Sequence, residues 1–169
     1  MKKEKLSKNG NKKIKNFTSK SIELDMKSMR DDEVARVDLE FLGLEHAGPS
    51  YEGRIFINNL KADQNSPTTK ESGYVGSYYV FGHGGCFGGS GHCSIDETER
   101  PYDYRSTHPL TPIYKRIEIT EFVKSVTDDN YAFTVTIVPV ITNGLEDWFV
   151  HIDLENIIKC EKILLKTYR

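Results

Sequence analysis

Apolar and polar residues alternate with a period of two over much of the chain beyond residue 34. In VARVDLEF (34–41), Ala35, Val37, Leu39 and Phe41 point one way and Arg36, Asp38 and Glu40 the other. That alternation predicts a half-buried strand. YEGRIFIN (51–58) puts Tyr51, Gly53, Ile55 and Ile57 on one face, and in GYVGSYYVFG (73–82) Val75, Tyr79 and Phe81 alternate with Tyr74, Tyr78 and Val80. IYKRIEITEFV (113–123) aligns Ile113, Ile117 and Ile119, with Lys115 among them. YAFTVTIVPV (131–140) aligns Tyr131, Phe133, Val135 and Ile137, and WFVHIDLE (148–155) aligns Trp148, Val150, Ile152 and Leu154. IIKCEKILLKT (157–167) reads as a last strand.

β-Branched and aromatic residues dominate these runs, as they do in pleated, half-buried surfaces. Turn-forming residues separate them: Gly48-Pro49, Ser66-Pro67, a glycine-rich loop at 83–93, Pro109 with Pro112, Asp128-Asp129-Asn130 and Asn143-Gly144. No long amphipathic helix interrupts the series. The expected fold is all-β, a sandwich of about seven to eight antiparallel strands.

The first 33 residues break the pattern. Met1 to Lys20 is lysine-rich with Glu4 as its one acid, which predicts a solvated, disordered tail or, in a functional role, an electrostatic tether to an acidic partner. Residues 21–33 are polar and weakly periodic, a short helix or a linker. The expected organisation is therefore a flexible lysine-rich tail and linker over 1–33 and one β-sandwich over 34–169. The early lysines are followed by no apolar stretch of the signal-peptide kind, and no apolar run approaches the roughly 20 residues of a membrane helix. A cytoplasmic protein with no membrane contact is expected. The net charge of −2 argues against a nucleic-acid partner, which calls for a basic excess.

Candidate chemistry concentrates in HGGCFGGSGHC (83–93), two histidines, two cysteines and five glycines in eleven positions. A phosphate-binding loop is a poor match, because Gly89-Ser90-Gly91-His92 lacks the lysine and no helix pattern follows. A metal site has better support. Thiolate and imidazole are the ligands of zinc and copper, with soft thiolate favouring Cu(I), and His83, Cys86, His92 and Cys93 supply four such groups. His46, in LEHAGPS, and His108, in STHPLTP, are available as extra ligands. The competing explanation is a compact glycine turn whose His and Cys side chains pack or hydrogen-bond, with Cys86 and Cys93 free or bridged.

The remaining groups read more plainly. His151 alternates with Trp148 and Val150 and is expected to face solvent, and Cys160 reads as a small packing residue. Asp96, Glu97 and Glu99 form an acidic turn, and Tyr102 and Tyr104 lie between Arg100 and Arg105. No nucleophile elbow, zinc-protease helix or Ser-x-x-Lys pair is present.

The order of motifs carries a family resemblance. Gly48-Pro49-Ser50-Tyr51-Glu52-Gly53-Arg54-Ile55-Phe56-Ile57-Asn58-Asn59 is followed by Ala62-Asp63 and Pro67-Thr68-Thr69. Gly73-Tyr74-Val75-Gly76-Ser77, Phe81-Gly82-His83-Gly84-Gly85, Gly91-His92-Cys93 and His108-Pro109-Leu110-Thr111-Pro112 come next, then Ile117-Glu118-Ile119-Thr120 and Val135-Thr136-Ile137-Val138-Pro139-Val140. Over about residues 34–141 this resembles the β-rich C-terminal domain that follows the copper domain in bacterial tyrosinase/haemocyanin-family proteins. In that family, catalysis belongs to a helical bundle that holds two coppers with six histidines. This chain has five histidines, none in His-x-x-x-His spacing, so oxidase activity is not implied and no catalytic residue is expected.

The resemblance implies an accessory domain standing alone, since such domains cover the copper site, plug it, or in some fungal members assist copper loading through cysteines. Here that loading role falls to Cys86 and Cys93 with His83 and His92, although the fungal Cys-x-x-Cys spacing is absent. The leading expectation is a non-catalytic accessory protein that associates with a separately encoded tyrosinase-like copper protein, with copper, or alternatively zinc, as its metal. A metal-free protein–protein interaction module is the main alternative, and a mononuclear metalloenzyme a lesser one.

Overall fold

A computed structural model describes residues 14–27, 34–46, 48–82, 111–141 and 157–169. Their fold is all-β. Nine strands are present among the described residues: β1 (Phe17–Thr18), β2 (Ile22–Asp25), β3 (Arg36–Leu44), β4 (Tyr51–Ile57), β5 (Tyr74–Val80), β6 (Ile113–Glu118), β7 (Asn130–Phe133), β8 (Val135–Val140) and β9 (Lys162–Tyr168). One four-stranded sheet runs β1-β8-β4-β5, a three-stranded sheet runs β6-β3-β9, and β2 pairs with β7. Every pairing is antiparallel.

The two larger sheets close over a common core. Val37, Leu39 and Phe41 of β3 and Ile117 of β6 meet Tyr51, Ile55 and Ile57 of β4, Tyr78 and Val80 of β5, and Val135 and Ile137 of β8. On β3, β4, β6 and β8 these residues belong to the same-face sets that the alternation predicts. A smaller cluster, Phe56, Ala62 and Val138, lies apart from this core, with Tyr74 and Val140 packed on it. The Asn59–Ser72 connection helps cover it, fixed by Arg54 Nη1 donating to Gln64 O and Asn59 Nδ2 to Ser72 O.

Three details depart from the expected strands. The run over 113–123 is strand only to Glu118. Ile119 N donates to Val37 O, and the chain then turns into a short helix, α1 (Thr120–Lys124), that buries Thr120 and Val123 at helical spacing. The run over 131–140 is two strands with Thr134 between them, because Phe133 pairs with Ile22 of β2 while Val135 pairs with Ile57 of β4. Lastly, the sandwich takes in part of the stretch expected as tail and linker. Phe17 pairs with Ile137, Leu24 with Tyr131, and Leu24 and Met26 are buried in the core. The expected strand at 148–155 and the lysine-rich residues 1–13 lie outside the described residues.

The polar face of β3 is more enclosed than alternation alone suggests. Asp38 is fully buried and Glu40 nearly so. Arg36 Nε donates to Asp38 Oδ1 at 2.7 Å, Tyr114 Oη donates to Glu40 Oε1 at 2.8 Å, and Lys166 Nζ lies 3.6 Å from the same oxygen. Arg36 and Lys166 also rest on the Tyr168 ring, 5.7 and 5.4 Å from its centroid. Long side chains of the two flanking strands thus roof the central one. Among the described residues, no helix is long and apolar enough to cross a membrane.

Candidate functional site

Strand register brings the flanks of the connections that carry the candidate residues to one end of the sandwich. In the three-stranded sheet, the end of β3 meets the start of β6 and of β9: Leu44 pairs with Ile113, and Leu42 with Lys162. In the other sheet, the start of β4 meets the end of β5 and of β8: Tyr51 pairs with Val80, and Glu52 with Val140. The connection from Leu44 to Tyr51 joins the sheets at this end. It carries His46.

Three further contacts fix the geometry there. Gly82 N donates to Ser50 Oγ at 3.0 Å, and a Cβ on Gly82 would lie 2.2 Å from Gly48 O and 2.3 Å from Pro49 C, so only glycine lets the chain leave β5 along this path. His46 Nε2 lies 3.0 Å from Thr111 O. Since a carbonyl only accepts, Nε2 carries the proton and donates it to Thr111 O. Glu45 N donates to Lys159 O at 3.1 Å, and the side chains of the same two residues form an ion pair at 2.7 Å.

Both ends of the 83–110 connection, Gly82 and Thr111, therefore sit on the His46 turn. The 142–156 connection also begins and returns here, from Ile141 beyond β8 to Ile157 ahead of β9. All five histidines of the chain, His46, His83, His92, His108 and His151, belong to connections that start and finish at this end. So do Cys86 and Cys93. His83 directly follows Gly82, and His108 precedes Thr111 by three positions. Of the six expected ligands only His46 is among the described residues; His83, Cys86, His92, Cys93 and His108 lie outside them, as does His151. Among the described residues, no group of three or more His, Cys, Asp or Glu side chains is arranged to hold a metal ion.

A polar cluster lies in the core just below. Tyr51 and Tyr78 pack edge to face with ring centroids 6.2 Å apart, and the Tyr78 ring lies 5.1 Å from that of Phe41. Their hydroxyls approach one another without meeting hydrogen-bond geometry. Burial pushes the Tyr51 hydroxyl up to about 12 and that of Tyr78 further still. Cys160 is half-buried beside them, its thiol shared between Leu42 O at 3.5 Å and Lys162 O at 3.4 Å. Burial pushes this thiol up as well, which suits a packing residue and suppresses thiolate chemistry.

That the connections carrying the histidines start and finish at one end of the sandwich had no signal in the sequence, because it follows from which strand ends are paired. Tyr51 and Tyr78 were legible only as strand positions. Compared with known proteins, the chain matches no family model, and no curated protein shows a significant match to it.

Proposed function

We propose that the protein is a non-catalytic β-sandwich accessory protein that works in the cytoplasm. It engages a separately encoded tyrosinase-like copper protein with the His46 end of the sandwich and assists copper loading through His83, Cys86, His92 and Cys93, with His46 and His108 as supporting ligands. One observation carries the reading: the connections holding every histidine, Cys86 and Cys93 start and finish at the same end of the sandwich, and both flanks of the 83–110 connection rest on the turn that carries His46. An imidazole and thiolate donor set suits Cu(I) and Zn(II). The motif order over residues 34–141 supplies the choice of partner.

The test is reconstitution. A tyrosinase-like copper bundle lacking its own C-terminal domain is mixed in the apo form with the Cu(I)-loaded chain. Complex formation and the appearance of oxidase activity are followed, with the Cys86→Ser/Cys93→Ser variant as control. The proposal expects a complex with both proteins but fast activation with the unsubstituted chain alone. No complex with either would sink the assignment of the partner.

A metal-free interaction module is the second reading. Tyr79 and Phe81, 68% and 84% exposed beside the same end, favour it. It expects a complex and identical activation behaviour from the chain and the cysteine variant.

A further inference from the structure

We draw no further inference here: the strongest candidate, the buried hydroxyl pair of Tyr51 and Tyr78 beside the half-buried Cys160 thiol at the His46 end of the sandwich, carries nothing because nothing among the described residues shows what the two hydroxyls would hold.

Discussion

Replacing Gly53 with alanine isolates one packing contact at the heart of the sandwich. Gly53 pairs with Tyr78 across β4 and β5. A Cβ at Gly53 would lie 2.6 Å from Tyr78 Cζ, 2.7 Å from Cε2 and 3.1 Å from the hydroxyl oxygen, well inside the roughly 3.5–4.0 Å of favourable carbon contact. The ring has little room to yield, because Tyr78 is 4% exposed and is held between Phe41 and Tyr51. Overpacking of this kind costs about 1–3 kcal/mol. Gly→Ala stiffens the unfolded chain and returns about 0.4–1 kcal/mol, because Gly53 has no positive φ to strain the new side chain. Taken at the middle of each range, the expected net loss is about 1.3 kcal/mol, or roughly 3–5 °C in melting temperature for a chain of this size. Urea unfolding at unchanged m-value measures it. Combining Gly53→Ala with Tyr78→Leu removes the obstructing ring, so the double variant should lose less than the two single losses added together. A Gly53→Ala variant as stable as the unsubstituted chain, or more so, would refute the packing of Tyr78 over Gly53.

Three more outcomes follow from particular contacts. Thr120→Val takes the acceptor from the buried Val37 N–H, 3.0 Å from Thr120 Oγ1, and should cost about 1–3 kcal/mol in chemical denaturation, with Thr120→Ser recovering most of it. Gly73→Ala puts a side chain at φ +81°, 2.3 Å from Ile57 O, and should destabilise by at least about 1–3 kcal/mol in the same assay. The raised Tyr51 hydroxyl gives a pH dependence: its contribution is whole below the ordinary tyrosine value near 10 and is lost as pH climbs through about 12. Urea midpoints should therefore fall across that alkaline window, and Tyr51→Phe should flatten the decline.

The strands were legible where one sheet face is uniformly apolar. Val37, Leu39 and Phe41 alternate without interruption, and β3 follows them, running on to Leu44 past a kink at Gly43 with φ +66°. Legibility failed where tertiary pairing overrode local pattern. Nothing local separates Phe133 from Val135, yet one belongs with β2 and the other with β4. Phe17, Leu24 and Met26 stand singly among lysines and acids, so only their burial reveals that residues 17–26 belong to the sandwich. The switch from β6 to α1 was hidden because Thr120 and Val123 sit at a spacing too short to set a helical period against the preceding strand pattern. The glycine-rich loop was visible as candidate chemistry from composition. That its two ends meet at His46 depends on Gly82 resting on Gly48 and Pro49 and on Thr111 O facing the imidazole, contacts between residues far apart in the chain.

The central claim is that the His46 end of the sandwich assembles a soft-metal site, and Cu(I) titration against a chromophoric chelator tests it most directly. The chain, Cys86→Ser/Cys93→Ser and His46→Ala are each titrated under reducing conditions, with Zn(II) titrated in parallel. The account predicts stoichiometric Cu(I) uptake by the chain, loss of that uptake in the double cysteine variant and weakened uptake in His46→Ala. Equal, weak binding by all three proteins would contradict it.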